Sequence, residues 1–401
     1  MSGIRVLVSG ASIAGPALAH WLWRWGAEVT VVERASGLRP GGQAVDARGV
    51  TREVIRRMGL DAAVRAACTE TAGAHIVDAD GNVLETYRAD DNGGDGFISE
   101  IEILRGDLSR VLYDDTRDGV DYRFGDRIAE LTQDPDGVDV VFASGDRRRF
   151  DLVVGADGLH SALRAMVFGP RERFVRHLGL VLAFYSVPNE FGLDRWLIDH
   201  QEAGRSAGLR PIRDATQAMA MFTFPAEDFD VDYRDVEAQK SLLRERMAGM
   251  GWMTPRILAH LDDSPDFYLD QVAQVVMDRW SSGRVALLGD AAFCSSPMSG
   301  QGTGLALVGA YLLAGELAAA GWDPEVGFAG YEARMRSFVE ANQEVGRLHA
   351  RMLVGAESSA EPEAEWSPEL IERAINGIDL PEYPGMPDFR TTSPITLAAK
   401  P

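Results

Sequence analysis

Three carboxylates in this chain stand at the tips of short apolar runs and lead straight into small-residue turns. They are Glu33 after Ala27–Val32, Asp157 after Leu152–Ala156, and Asp290 after Val285–Leu288 and Gly289. A polar, glycine-rich loop, Ser295 to Gly302, follows Asp290, and Pro297 fixes one of its backbone dihedrals. Leu305, Leu307, Val308, Leu312 and Leu313 then recur at helical spacing, which predicts a helix from near Thr303. A carboxylate accepts hydrogen bonds from hydroxyls, glycines let backbone N–H groups approach closely, and a helix N-terminus favours negative charge. Such a stretch can cradle a ligand rich in hydroxyls and phosphate. A buried strand-to-helix turn with small residues for packing would read the same way on this stretch alone.

The elements around the first carboxylate sharpen that reading. Ile4–Val8 is a short buried strand, and Gly10-Ala11-Ser12-Ile13-Ala14-Gly15 is its turn. An amphipathic helix runs on through Trp25 and stops at Gly26, and Ala27–Val32 is the next strand. An acid about 20 residues beyond a glycine turn, inside a βαβ unit, suits the adenosine half of a dinucleotide. Gly10 permits the tight turn, Gly15 permits close helix–strand packing, and Glu33 would accept from ribose hydroxyls. Ser12 replaces the usual middle glycine, so the backbone approaches a pyrophosphate less closely. The Gly-Ala-Ser opening also resembles that of short-chain dehydrogenases, whose Tyr-x-x-x-Lys pair moves a proton. Lys240 and Lys400 are the only lysines and neither lies four residues after a tyrosine, so that reading fails.

Between these segments the pattern predicts a Pro/Gly-rich connection at 37–49, a helix over Thr51–Met58, and a hairpin of Gly73–Asp78 and Asn82–Arg88. A helix capped near Gly106-Asp107 follows, with Arg105 placed to reach a phosphate or sugar or to serve as an ordinary surface arginine. Asp121–Phe124, Asp126–Gln133, Val138–Ala143 and Arg148–Phe150 read as one meander. His160, Ser161 and Arg164 open the helix after Asp157, His160 as a polar helix-start residue rather than a base. From His177 to Asp270 aromatics and methionines dominate short strands, interrupted by a helix over Val236–Met250. A long helix over Val326–Met352, an acidic linker at Ala356–Glu365 and a helix over Pro368–Asn376 precede a Pro/Thr-rich tail, expected to be extended beyond Asp379.

With 401 residues, 46% hydrophobic and 25% charged, the composition is that of a globular protein with a large core. The net charge of −21 argues against nucleic acid and anionic membrane as partners. Cys68 and Cys294 have no metal spacing and fit a reducing, cytoplasmic compartment. Leu305–Trp322 is apolar enough to raise a membrane span, but Glu316 and the polar cradle before it favour a buried core helix.

Taken in order, Gly10-x-Ser12-x-x-Gly15, Asp157-Gly158 and Gly289-Asp290 resemble the triple signature of the class A FAD monooxygenases, the p-hydroxybenzoate-hydroxylase-like family. The likeness spans residues 4 to about 345. Gly41–Asp46, Glu102–Leu108, Ser296–Gly302 and Phe338–Gln343 are similar to segments of its tetracycline-inactivating branch. The resemblance implies an α/β fold: a Rossmann-like FAD-binding domain of glutathione-reductase type, an inserted mixed β-sheet substrate domain, and a long C-terminal helix. The expected pieces are FAD-binding at 1–75, 99–172 and 276–322, a substrate-domain hairpin at 76–98, the substrate domain at 173–275, and the C-terminal helix and tail at 323–401.

By that resemblance Gly10, Ser12, Ile13, Ala14 and Gly15 hold the pyrophosphate and Glu33 the adenosine ribose. Arg105, Gly289 and Asp290 hold the ribityl and phosphate portion, and Asp157 supports the cofactor strand. Arg34, Gln43 and Arg48 complete the cofactor set, while Pro297, Gly300, Gln301, Gly302 and Thr303 line the isoalloxazine. Thr303 replaces the family's usual Asn, and Met219 stands where relatives place a substrate-contacting His. Phe184, Trp196, Met219, Met221 and Pro297 are expected to wall the substrate cavity. The implied chemistry is FAD held non-covalently, reduced by transient NADPH or NADH, and reacting with O2 to a C4a-hydroperoxide that oxygenates a polycyclic aromatic or polyketide. No catalytic side chain and no metal is required, and a monomer or weak homodimer is expected. A flavin halogenase is excluded, because Trp21-Leu22-Trp23 lacks the following Ile-Pro and lysines are nearly absent. A flavin dehydrogenase or reductase without oxygen transfer, and a non-enzymatic carrier on the same fold, remain the alternatives.

Overall fold

The computed structural model describes residues 3–96, 98–226, 235–354 and 367–383. Short runs of Val, Leu and Ala with no polar face can be buried on both sides only in a parallel sheet covered by helices. Arg5–Ser9, Glu28–Glu33, Leu152–Gly155 and Val285–Leu287 do this side by side. In the six-stranded sheet the order is Ser281–Ser282, Val285–Leu287, Leu152–Gly155, Arg5–Ser9, Glu28–Glu33, Asp121–Phe124. Leu7 stands opposite both Val153 and Thr30, and Val154 opposite Ala286. Because these strands run parallel, the Gly10 turn, Glu33, Asp157 and Asp290 all leave by the same edge.

Asp121–Phe124 was expected in a meander, and the structure corrects this: it pairs parallel to Glu28–Glu33. A four-residue strand does not reveal its partner; here packing decides. Tyr122 and Phe124 lie against Tyr113 of the preceding helix, and the Tyr122 hydroxyl bonds the Thr116 hydroxyl at 2.8 Å. The remaining three strands, Ile128–Asp134, Gly137–Phe142 and Arg147–Phe150, form a separate antiparallel sheet.

The aromatic and methionine-rich block builds a seven-stranded sheet in the order Tyr268–Val275, Val175–Pro188, Gln217–Pro225, Arg205–Pro211, Trp196–Glu202, Gly73–Val77, Val83–Arg88. The early hairpin joins through parallel pairing of Gly73–Val77 with Trp196–Glu202. Alternation divides Gln217–Pro225 cleanly. Ala218, Ala220, Phe222 and Phe224 pack against Leu243, Met247 and Ile257 of the helices Val236–Arg246 and Thr254–Ala259. Met219 and Met221 face the other way, and Met221 packs with Ala74, Ile98 and Leu197.

Gly302–Ala319 is apolar on every side and buried in the core. It is long and apolar enough to cross a membrane, but 78% of it lies inside the fold. The long helix Pro324–Val354 packs along it, and Pro368–Asn376 packs on the long helix through Leu370 and Ala374. Tyr383 then lies against Gly315, where an added Cβ would stand 2.1 Å from the ring. The acidic stretch 356–365 and the tail from 384 lie outside the described residues.

Phe222 is fully buried between the sheet and its two helices, so Phe222→Ala should cost about 3–5 kcal/mol. Met221→Ala, at a half-buried position, should cost clearly less; thermal unfolding of the two variants measures the difference.

Candidate functional site

The glycine turn is set by close backbone approach. A Cβ on Gly10, whose φ is +110°, would meet Ala156 O at 2.4 Å, and one on Gly15 would meet Gly10 O at 1.9 Å. Only glycine fits either place. Ser12 and Ala14 are half-buried on the turn and Ile13 is buried beneath it. Glu33 is held by the turn itself: Ala11 N–H donates to its Oε2 and Ala35 N–H to its Oε1, each at 2.9 Å. Each oxygen keeps a further lone pair for a hydroxyl. Arg34 is exposed beside it.

Asp157 is spent largely on the fold. It accepts from Ser161 Oγ at 2.5 Å and from the N–H groups of Ala162 and Leu163 at 2.8 and 3.1 Å, closing the N-terminus of the helix Ala162–Phe168. Burial pushes its carboxyl above the usual range against these bonds. Arg164, buried and not singled out for this purpose by the sequence, donates to Leu159 O at 2.7 Å and Ala291 O at 2.9 Å. It thereby fastens the Asp157 turn to the Asp290 segment.

Asp290 is exposed at the strand tip, yet protein surrounds it closely enough that burial raises its pKa, opposed by the charge of Arg105 and the thiol of Cys294. Its Oδ1 lies 4.0 Å from where a Cβ on Gly302 would stand. Asp290 and the start of the Gly302–Ala319 helix are therefore neighbours, and that helix start has no side-chain cap. Gln43 contributes through its backbone: Arg105 N–H donates to Gln43 O at 3.0 Å, and Gly106 N–H to Gly41 O at 2.8 Å. The intervening loop turns at Pro297–Ser299 and at Gly300, φ +65°. Ser299 Oγ bonds Ser295 Oγ at 2.7 Å and accepts from Gln301 N–H at 3.2 Å. Gln301 and Thr303 are buried behind it.

Two of the expected site residues make contacts within the protein. The Arg48 guanidinium donates to Gly96 O at 3.2 Å and Gly300 O at 3.1 Å and pairs with Asp46 at 3.0 Å. Each of its three nitrogens is bonded within the protein, so it braces the loop. Trp196 does not share the methionine face. It alternates with Leu197, which packs with Met221, and stacks on His75 with centroids 4.2 Å apart. Phe184, in contrast, pairs with Met221, and Ser186 with Met219, so these share one face. Phe184 and Met298 of the loop pack on the same cluster of Leu180, Leu182 and Val272, which brings that face to the loop.

The sequence did not mark the buried charges behind this face. Glu102 accepts from Thr69 Oγ1 at 2.7 Å and Thr71 Oγ1 at 2.6 Å, and pairs with Arg210, the register partner of Met219. Burial works against its charge, but Arg210 and the threonines hold its pKa below the usual value. Asp46 lies close by, and there burial prevails over Arg48 and raises the pKa.

Comparison with known proteins agrees with this geometry. The family described as FAD binding domain matches residues 3–346. An uncharacterized protein of Mycobacterium tuberculosis is 50% identical over 339 residues, 84% of this chain and 91% of that one. A flavin-dependent monooxygenase of Legionella longbeachae is 38% identical over 391 residues, 95% and 98% of the two chains. The crystal structure of tetracycline destructase Tet(51) superposes with a TM-score of 0.83 at 36% identity, covering 96% of this chain and all of that one.

Arg48→Ala leaves Asp46 buried without its cation and frees two carbonyls of the loop. The expected cost is about 2–3 kcal/mol, limited because Asp46 can take up a proton. A carboxyl whose folded pKa is raised destabilises only when ionised, so the deficit should shrink as pH falls. Thermal melts of variant and wild type at pH 5 and pH 8 test both the size and the sign.

Proposed function

The chain belongs to the family of class A flavin-dependent monooxygenases, and from that premise we propose that it transfers one oxygen atom of O2 to a flat, polycyclic, oxygenated substrate of tetracycline-like shape. The observation that carries the reading is the single sheet edge that collects the Gly10 turn, Glu33 and Asp290, with the methionine face of the second sheet meeting the loop beside it. The residues present fit FAD: two glycines whose Cβ positions are filled by backbone, carboxylates at the strand tips, and a helix start without a side-chain cap.

When bound, FAD supplies the redox chemistry, taking a hydride from NADPH or NADH and activating O2. The protein's own part is binding, placement and charge. Gly10 to Gly15 receive the pyrophosphate, Glu33 the adenosine ribose, and Asp290 with Arg105 the ribityl and phosphate portion. The Gly302 helix start favours negative charge on the reduced ring. Phe184, Met219 and Met221 form an apolar, adaptable wall for a flat ring system, and Arg210 beside Met219 suits an acidic enol or phenol oxygen. The likeness to tetracycline destructases supports that substrate shape. Both cysteines are free, in keeping with a cytoplasmic setting.

The test is NADPH and NADH oxidation by the purified, flavin-loaded protein against a panel of tetracyclines and other polycyclic phenols, with product mass. Substrate-stimulated oxidation with a product heavier by one oxygen atom is expected. Stimulated oxidation with no oxygen in any product would instead establish a dehydrogenase or reductase.

Two variants separate the halves of the site. Asp290→Ala should bind FAD about 10- to 100-fold more weakly, the loss of charge-assisted hydrogen bonds worth about 1.5–3 kcal/mol. Its melting temperature without FAD should change little; unaltered affinity by fluorescence titration would remove Asp290 from the cofactor site. Met221→Lys should keep FAD bound but lower substrate-stimulated oxidation and raise peroxide release. Unchanged coupling and KM would place the cavity wall elsewhere.

A further inference from the structure

Asp270 joins the two halves of the molecule at a place that none of the three motifs marks. It lies on Tyr268–Val275, the edge strand of the seven-stranded sheet, in register with Leu182. Its Oδ2 accepts from the Tyr268 hydroxyl at 3.0 Å and meets His160 Nε2 at 2.8 Å, while its Oδ1 accepts from Gln271 N–H at 2.8 Å. His160 belongs to the other layer, three residues beyond Asp157 in the turn before the helix Ala162–Phe168. The same edge strand is tied to the Asp290 segment through its backbone: Val275 N–H donates to Cys294 O at 3.0 Å, and the Cys294 thiol to Ala273 O at 3.4 Å. One attachment of the strand thus runs through its backbone, the other through side chains.

Tyr268 connects this cluster to the cofactor side. It is the register partner of Phe184, which places it at the end of the row that continues through Met221. Its hydroxyl is within electrostatic reach of both Arg105 and Asp290, and burial with the neighbouring Asp270 pushes its pKa up. Half of its surface, 49%, is nevertheless accessible. His177 of Val175–Pro188 lies within electrostatic reach of both His160 and Asp270.

We propose that Tyr268, Asp270 and His160 are a clamp at the cofactor edge, in which Asp270 orients the Tyr268 ring beside the Arg105–Asp290 end of FAD and His160, through its bond to Asp270, ties the two layers together. The inference rests on the reading of Asp290 as an FAD-binding residue. Asp270 is ionised through the neutral range, since His160 and Tyr268 outweigh burial and hold its pKa down. Loss of either bond to Asp270 frees the Tyr268 ring or the strand that carries it, and so weakens the hold on FAD.

The experiment is titration of the deflavinated full chain with FAD, followed by flavin fluorescence, beside thermal melts of each variant without FAD. Tyr268→Phe, which keeps the ring and removes its bond to Asp270, should bind FAD about threefold more weakly with an unchanged melt, the size of a partly exposed polar pair. His160→Gln, at an exposed position, should lose about as much, and Asp270→Asn, which weakens both bonds, about tenfold. Unchanged FAD affinity in Tyr268→Phe and His160→Gln, or a loss of melting temperature with no loss of affinity, overturns the clamp. Should Asp270→Asn fail to fold, the other two variants decide. Failure of wild type to bind FAD would instead bring down the functional reading beneath it.

Discussion

The sheet edge that gathers the carboxylates depends on backbones that meet more closely than any side chain allows. Gly10 lies against Ala156 O and Gly15 against Gly10 O, so the first turn, the strand ending before Asp157 and the first helix are pressed into one knot. Glu33 is then drawn in by the N–H of Ala11 from the same turn. Asp157 and Arg164 extend the knot to the Asp290 segment through Ala291 O. A single methyl group at either glycine would push apart elements that lie far apart in the chain, and every carboxylate on that edge would move with them.

Arginine does much of the holding, which accounts for a composition with almost no lysine. Arg48 bridges two carbonyls and a carboxylate, Arg164 two carbonyls, and Arg57 the Tyr311 hydroxyl, Pro381 O and Glu53. Arg336 bonds Met277 O and Asp278 O while lying 4.0 Å over the Trp280 ring. A planar fork with several fixed donors can satisfy such sets at once; a lysine ammonium, a strongly hydrated point charge, gives up more on burial. The excess of acidic residues therefore coexists with a cationic framework beneath the surface.

Much of that sheet edge was legible in the sequence because its signals are local. An apolar run, an acid at its tip and a glycine turn lie within a few residues of one another, and parallel pairing then assembles three such units. What was not legible depends on register between distant strands. Period-2 alternation separates Met221 from Phe222, but it does not say that Trp196 falls on the far face, because that follows from pairing of Trp196–Glu202 with its neighbours. The Glu102–Arg210 pair joins residues 108 positions apart. Arg48 carries no sign in its surroundings that its nitrogens end on Gly96 and Gly300. Asp121–Phe124 is too short to declare whether its neighbour runs parallel or antiparallel.

The seven-stranded sheet takes its strands from residue 73 to residue 275, while the six-stranded sheet takes its own from residue 5 to residue 287. Each is threaded through the other, and the hairpin Gly73–Arg88 is inserted ahead of four strands of the sheet that carries the carboxylates. Neither can be excised as a continuous module. Exchanging the substrate-facing half between relatives by recombination would need several crossovers, each cutting a connection between packed layers. A point change on the methionine face, at a position such as Met219, replaces one side chain while both threads stay intact.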